Sequence, residues 1–153
     1  MVNNLPMQCI RPVLKSELLA VYQLEQAIFG EHSYPDFFFR QGFDCWPEQF
    51  LVAVDDRHQL QGYLLCAQSG DPQCMWILSV AVSENTRGQG LGKRLIERCL
   101  AELPLSIQQV YLTVEPNNPA YFLYQKLGFR DVNFEADYFG IGMDRMVMQY
   151  RRS

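Results

Sequence analysis

Leu78-Ser79-Val80-Ala81-Val82-Ser83-Glu84-Asn85-Thr86-Arg87-Gly88-Gln89-Gly90-Leu91-Gly92-Lys93-Arg94-Leu95-Ile96 joins an apolar strand to an amphipathic helix through an arginine-led loop with three glycines. In that order, free backbone N–H groups gather at a helix N-terminus, where the helix dipole favours a negative ligand such as a pyrophosphate. Glycines leave the backbone open to close approach. The loop is not a phosphate-binding P-loop, because Lys93 is followed by Arg94 rather than Ser or Thr. It is not the dinucleotide fingerprint either, since glycines 88, 90 and 92 alternate. The competing reading is a tight turn whose glycines let the helix pack closely on the sheet.

Working outward, Gln8–Val13 alternates as a first strand, and Ser16-Glu17 opens a helix that Gly30 ends. An aromatic-rich stretch from Tyr34 to Trp46 predicts a short second helix plus loop. Strands follow at Phe50–Val54, Leu60–Ala67 and Met75–Val82, with Asp55-Asp56-Arg57-His58 and Gly70-Asp71-Pro72 as turns. The helix after the glycine loop carries Leu91, Leu95, Cys99 and Leu103 on one stripe and stops at Pro104. Gln109–Val114 is a strand, and Asn117-Asn118-Pro119-Ala120 caps a helix that Gly128 closes. Strands near Phe129–Ala136 and Met143–Tyr150 complete the chain. The order β-α-α-β-β-β-α-β-α-β-β predicts one α/β domain over residues 1–153, a mixed central sheet with helices on both faces.

The 48% apolar and 20% charged composition is that of a globular domain rather than a disordered chain. A net charge of −4 argues against nucleic acid as a partner, because phosphate neutralisation needs a basic surface. Five cysteines, odd in number and without a C-x-x-C pair, point to neither zinc nor a disulfide framework, and most read as small apolar fillers. Met1 to Met7 is polar and contains Pro6, so no signal peptide is expected. No apolar run approaches the ~20 residues of a membrane span. These features together predict a cytoplasmic protein that does not engage the membrane.

Two separated motifs give the chain a resemblance to the GNAT superfamily of acetyl-CoA-dependent N-acetyltransferases. The pattern [Q/R]-x-x-G-x-[G/A] after a long strand is matched by Arg87-Gly88-Gln89-Gly90-Leu91-Gly92. An Asn seven residues before the Tyr of an L-Y-x-x-L-G-F helix end is matched by Asn117 and Leu123-Tyr124-Gln125-Lys126-Leu127-Gly128-Phe129. The order of elements fits the GNAT fold throughout. The resemblance implies acetyl-CoA as co-substrate and no metal. It implies that Val80, Ala81 and Val82 offer backbone groups to the pantetheine arm, in the manner of an added strand. Residues Arg87, Gly88, Gln89, Gly90, Leu91, Gly92 and Lys93 would hold the pyrophosphate. Asn117 matches the family's coenzyme-contacting residue, and Asn118, one place on, is either a second contact or only the helix cap. Tyr124 matches the general acid, which protonates the departing thiolate; the phenol's ordinary value is ~10. Tyr121 and Phe122 read as packing residues.

The general base is not evident. Family members that place a Glu on the long strand or on the strand before the Asn would carry it near Trp76 or Leu112, both uncharged here. Glu25, Glu31, Asp36 and Glu115 are the acidic residues that another element could bring in. A site without a carboxylate suits a low-pKa amine: an α-amine at ~7.7–8.0 is roughly a tenth neutral at pH 7, a lysine at ~10.4 well under a thousandth. The tail Ala136-Asp137-Tyr138-Phe139-Gly140-Ile141-Gly142-Met143-Asp144-Arg145-Met146-Val147-Met148 resembles that of protein N-terminal acetyltransferases, RimI-type enzymes included. Tyr138 and Phe139 would then line the acceptor site. The aromatics from Tyr34 to Trp46 form either a gate over the acceptor or plain helix-to-sheet packing. The reading is therefore direct acetyl transfer to a primary amine, a peptide N-terminus or a small molecule, by a monomer or homodimer. A non-catalytic acetyl-CoA sensor is the alternative from another class.

Overall fold

A computed structural model describes residues 8–153; the opening segment Met1–Met7, expected to carry no signal peptide, lies outside them. The elements follow as β1 (Cys9–Pro12), α1 (Leu18–Phe29), α2 (Asp36–Cys45), β2 (Phe50–Val54), β3 (Leu60–Gln68), β4 (Cys74–Val82), α3 (Leu91–Ala101), β5 (Gln109–Val114), α4 (Ala120–Lys126), β6 (Arg130–Glu135) and β7 (Arg145–Arg151). This is the predicted order of elements, with boundaries moved by a residue or two. Strands hydrogen-bond in the order β1-β2-β3-β4-β5-β7-β6. The β4–β5 pair is parallel, and β1–β2, β2–β3, β5–β7 and β6–β7 are antiparallel, so the sheet is mixed.

The chain divides into two compact units. The first holds the residues up to Cys66 together with Ser79–Ala101. Strand alternation sends Phe50, Val52, Val54, Tyr63, Leu65 and Ala81 to one face, where Val21 of α1 and Phe39 of α2 complete a core. The opposite face takes α3. There a side chain at Gly62 would meet the Ala81 carbonyl at 3.0 Å and Leu95 at 3.2 Å, so the missing Cβ lets helix and strand close up. Helices therefore cover both faces, as expected. The start of α1 is fixed by Glu17, whose carboxylate accepts from the Leu14 N–H at 2.8 Å and from the two terminal guanidinium N–H groups of Arg11, each at 2.8 Å.

The second unit comprises Ala67–Leu78 and Glu102–Ser153. The parallel register here covers only Cys74↔Gln109, Met75↔Val110 and Trp76↔Tyr111. Trp76 stacks on Tyr111 at that last pair, ring centroids 5.0 Å apart. Strand β6 is exposed along its whole length. Gly128, at φ +102°, turns the chain out of α4, and a Cβ there would meet the Tyr150 ring at 3.4 Å. Among the described residues no helix is long and apolar enough to cross a membrane. Cys66, Cys74 and Cys99 are buried as expected, whereas Cys9 and Cys45 are exposed rather than core fillers. Both of these lie at an element terminus, outside the apolar stripe.

Candidate active site

In the first unit, β4 runs into a single 3-10 turn at Glu84–Thr86 before α3 begins. The turn is secured by Thr86, buried, whose hydroxyl donates to the Ser83 carbonyl at 3.0 Å, and by the Ser83 N–H donating to Gln61 of β3 at 2.8 Å. Gly88 and Gly90 then take φ +83° and +75°, a region in which an L side chain is strained. A Cβ at either position would meet nothing within 4 Å, so these glycines serve conformation and not close packing. The loop bonds two of its own amides: Arg87 N–H to Glu84 O at 3.2 Å and Gln89 N–H to Thr86 O at 3.3 Å. The first bond of α3 runs from Arg94 N–H to Gly90 O. Gly88, Gly90, Leu91, Gly92 and Lys93 are therefore left with no backbone acceptor among the described residues. The expected amide cradle from Arg87 to Lys93 thus has five open donors rather than seven, the other two spent on forming the turn.

The basic side chains around this loop divide in two. Arg94 donates to the Gln8 side chain and carbonyl, and Arg98 to the Ile10 carbonyl, so both tie α3 to the β1 edge. Arg87 and Lys93 are exposed and pair with no other side chain among the described residues. Val80 and Val82 are half-buried and Ala81 is buried in the core.

In the second unit, the carboxamide oxygen of Asn118 accepts the Ala120 N–H at 2.9 Å and so starts α4. Asn117 is exposed and carries no such bond. Tyr124 is buried at 8% exposure, its ring 6.1 Å from that of Phe129. Burial pushes its phenol up to about 12, so the ordinary ~10 assumed from sequence is superseded. Tyr121 donates its hydroxyl to Asp131 at 2.8 Å. Phe122 is 63% exposed instead of packed, because it points away from the α4 face that buries Tyr124. Trp76, at one position where some family members carry a Glu, is committed to its stack on Tyr111, and Leu112, at the other, is core. Tyr138 and Phe139 form an edge-to-face pair at 4.7 Å in the β6–β7 loop, with the Arg145 guanidinium 5.1 Å over Phe139. Asp137, at φ +55°, shapes that loop by accepting the Gly142 N–H at 2.7 Å.

The four other acidic residues meet different fates. Glu31 and Asp36 are exposed; Asp36 accepts the Phe37 N–H at 2.8 Å, and Glu115 lies 3.6 Å from Arg145. Glu25 alone is buried, at 1% exposure. Its Oε1 accepts from the Tyr63 hydroxyl and, at 3.0 Å, from Ser79, while Oε2 accepts the Tyr34 N–H at 2.9 Å. Burial, and then the Glu25 charge, hold the Tyr63 phenol well above its ordinary value, so it remains a donor. Sequence reading named Glu25 but missed its partners, which lie 38 and 54 residues away. The aromatic stretch between Tyr34 and Trp46 largely packs: Phe39 is fully buried against Tyr22, Phe50 and Tyr63, and only Phe37 is well exposed.

Residues 18–129 match the model of the acetyltransferase (GNAT) family. The chain belongs to that family. An N-alpha-acetyltransferase of Sulfurisphaera tokodaii is 28% identical over 135 residues, 76% of this chain and 77% of that one. A ribosomal protein bS18-alanine N-acetyltransferase of Haemophilus influenzae is 28% identical over 94 residues, 60% of this chain and 63% of its own. In structure, the chain is similar to the NatC complex bound to Gag peptide and CoA, with a TM-score of 0.86 at 21% identity, covering 95% of this chain and 99% of that one. This GNAT protein is accordingly an N-acetyltransferase, carrying an acetyl group to a primary amine.

Proposed function

We propose that this GNAT enzyme transfers the acetyl group of acetyl-CoA to the α-amino group of a peptide or protein N-terminus, by direct attack in a ternary complex. The observation that carries the coenzyme half is the five open amides of Gly88, Gly90, Leu91, Gly92 and Lys93 at the start of α3, two of them on left-handed glycines. Such donors suit a diphosphate, and the exposed Arg87 and Lys93 add charge to it. Val80, Ala81 and Val82 serve the pantetheine arm, and Asn117 rather than Asn118 contacts the coenzyme, because Asn118 is occupied in starting α4. Tyr124 is the acid. Held neutral by burial, it donates to the sulfur as the C–S bond lengthens, while β4 amides polarise the carbonyl. The Tyr138–Phe139 loop lines the acceptor.

The names of the relatives support the N-terminal acceptor, and the ligands of the similar NatC complex, Gag peptide and CoA, support the ligand pair. Five free cysteines suit a reducing cytoplasm, where the enzyme works as a monomer or homodimer within one domain of residues 1–153. Labelled acetyl-CoA presented with short peptides and, separately, with polyamines, amino acids and drug-like amines tests the proposal. Peptide-selective labelling of the N-terminal nitrogen is expected. Labelling of small amines alone removes the peptide reading, and absence of heat on titration with either CoA or acetyl-CoA removes the coenzyme site.

A further inference from the structure

Three oxygen atoms close a triangle inside the first unit. Tyr63 Oη, Ser79 Oγ and Glu25 Oε1 are each within hydrogen-bond distance of the other two, with Tyr63 and Ser79 2.8 Å apart and Ser79 and Glu25 3.0 Å apart. The two hydroxyls supply two protons for three contacts. With a carboxylate at Glu25, one edge has no hydrogen along it. A third proton, on Glu25, lets each oxygen donate once around the ring. The triangle is thus built to take up one proton without any heavy atom moving.

Three donors hold the carboxylate, the Tyr63 and Ser79 hydroxyls and the Tyr34 N–H, and no ion pair among the described residues brings it a cation. On α1 its neighbours Val21 and Ile28 are apolar; from α2 comes Phe39, and from the segment before α2 the Tyr34 N–H. Among the described residues the titratable groups near it are Tyr63 and Tyr34, neither of which brings a positive charge. An unpaired buried carboxylate is costly, and an apolar trio would fill the space as well. All three residues are buried, Tyr63 at 0%, Glu25 at 1% and Ser79 at 8% exposure. Ser79 also lies three positions past Trp76, the last β4 residue paired with β5, and directly before Val80–Val82.

We propose that Glu25, acting through Ser79, takes up the proton that the acceptor nitrogen sheds during acetyl transfer. The inference rests on the acetyltransferase reading above. As the N–C bond forms, a proton passes from nitrogen to Ser79 Oγ while the Ser79 hydroxyl proton passes to Glu25 Oε1. The C–S bond breaks, and the sulfur takes a proton through Tyr124, which solvent refills. Glu25 returns its proton to solvent, leaving amide and CoA thiol. Glu25 is a positioning residue for Ser79 and the final holder of the proton. It supplies the base absent at Trp76 and Leu112.

The test is steady-state kinetics of Glu25→Gln, Ser79→Ala and Ser79→Thr between about pH 7 and 9. The expected loss in kcat for Glu25→Gln and Ser79→Ala is about 100-fold at pH 7, with the KM for acetyl-CoA within about twofold of wild type. The deficit narrows as pH rises, because hydroxide replaces the relay. Ser79→Thr, which keeps the hydroxyl, recovers most of the activity lost in Ser79→Ala. A deficit that stays constant with pH, or Ser79→Ala turning over like wild type, overturns the proposal even if Glu25→Gln fails to fold. A wild-type enzyme inactive toward every amine would instead strike the acetyltransferase reading, and this inference with it.

Discussion

Tyr124 illustrates how burial alters a role that its place in the chain suggests. The motif Leu123-Tyr124-Gln125-Lys126-Leu127-Gly128-Phe129 points to an acid, but the environment sets its strength. With the phenol pushed up to about 12, it stays a proton donor across the working range, and the rate does not fall in alkali on its account. Turnover should rise as the acceptor α-amine loses its proton near ~7.7–8.0 and then hold level to at least about pH 10. A pH–rate profile that bends down near pH 9 in wild type but not in Tyr124→Phe would contradict this. Replacing Tyr124 by Phe keeps the ring packed against Phe129 and removes only the hydroxyl. The expected cost is about 10²-fold or more in kcat, with acetyl-CoA affinity by calorimetry within about twofold.

At the scale of an element, the proposed coenzyme site makes separate predictions for the starts of α3 and α4. Gly90→Asp puts a carboxylate into a left-handed position whose surroundings are open, so strain and repulsion of the diphosphate combine. Acetyl-CoA binding should weaken by at least about tenfold, and calorimetry reads it. For α4 the two asparagines should part company. Asn118→Ala loses the bond that starts the helix, costing about 1 kcal/mol of stability in urea unfolding with coenzyme affinity intact. Asn117→Ala should do the reverse; matching effects in both variants would defeat the division. The order of strands and helices and the glycine loop were legible because period, glycine spacing and caps are local. Which amides the loop keeps for itself was not, since the 3-10 turn at Glu84–Thr86 has no strong sequence sign. Nor was the exposure of Phe122, because a seven-residue helix is too short for its apolar face to be read by period. The Glu25 triangle escaped for a different reason: its three oxygens come from α1, β3 and β4, and only the packing of the core brings them together.

For the whole molecule, one depressed carboxyl and two raised phenols shape the pH window of stability. Glu17 lies below its ordinary 4.5, chiefly because Arg11 donates to it and further because the Leu14 N–H does. A depressed carboxyl contributes stability that is complete above the unfolded value and drains away as pH falls through the folded one. The acid limb therefore begins below about pH 4.5. Tyr124 acts in the opposite sense. Raised from 10.0 to about 12 by desolvation, it contributes stability that is complete below 10.0 and is lost as pH climbs toward 12. That interval corresponds to on the order of 2–3 kcal/mol. Tyr63, also raised, adds to the same alkaline limb. Melting temperature followed by circular dichroism should thus be flat between about pH 5 and 9 and fall on both sides. Glu17→Gln should lower the plateau and soften the acid limb alone, and Tyr124→Phe should soften the alkaline limb alone. A Tyr124→Phe protein whose melting temperature falls in alkali as steeply as wild type would mean that burial does not hold the phenol up. It would then lose its claim to remain neutral throughout the catalytic range.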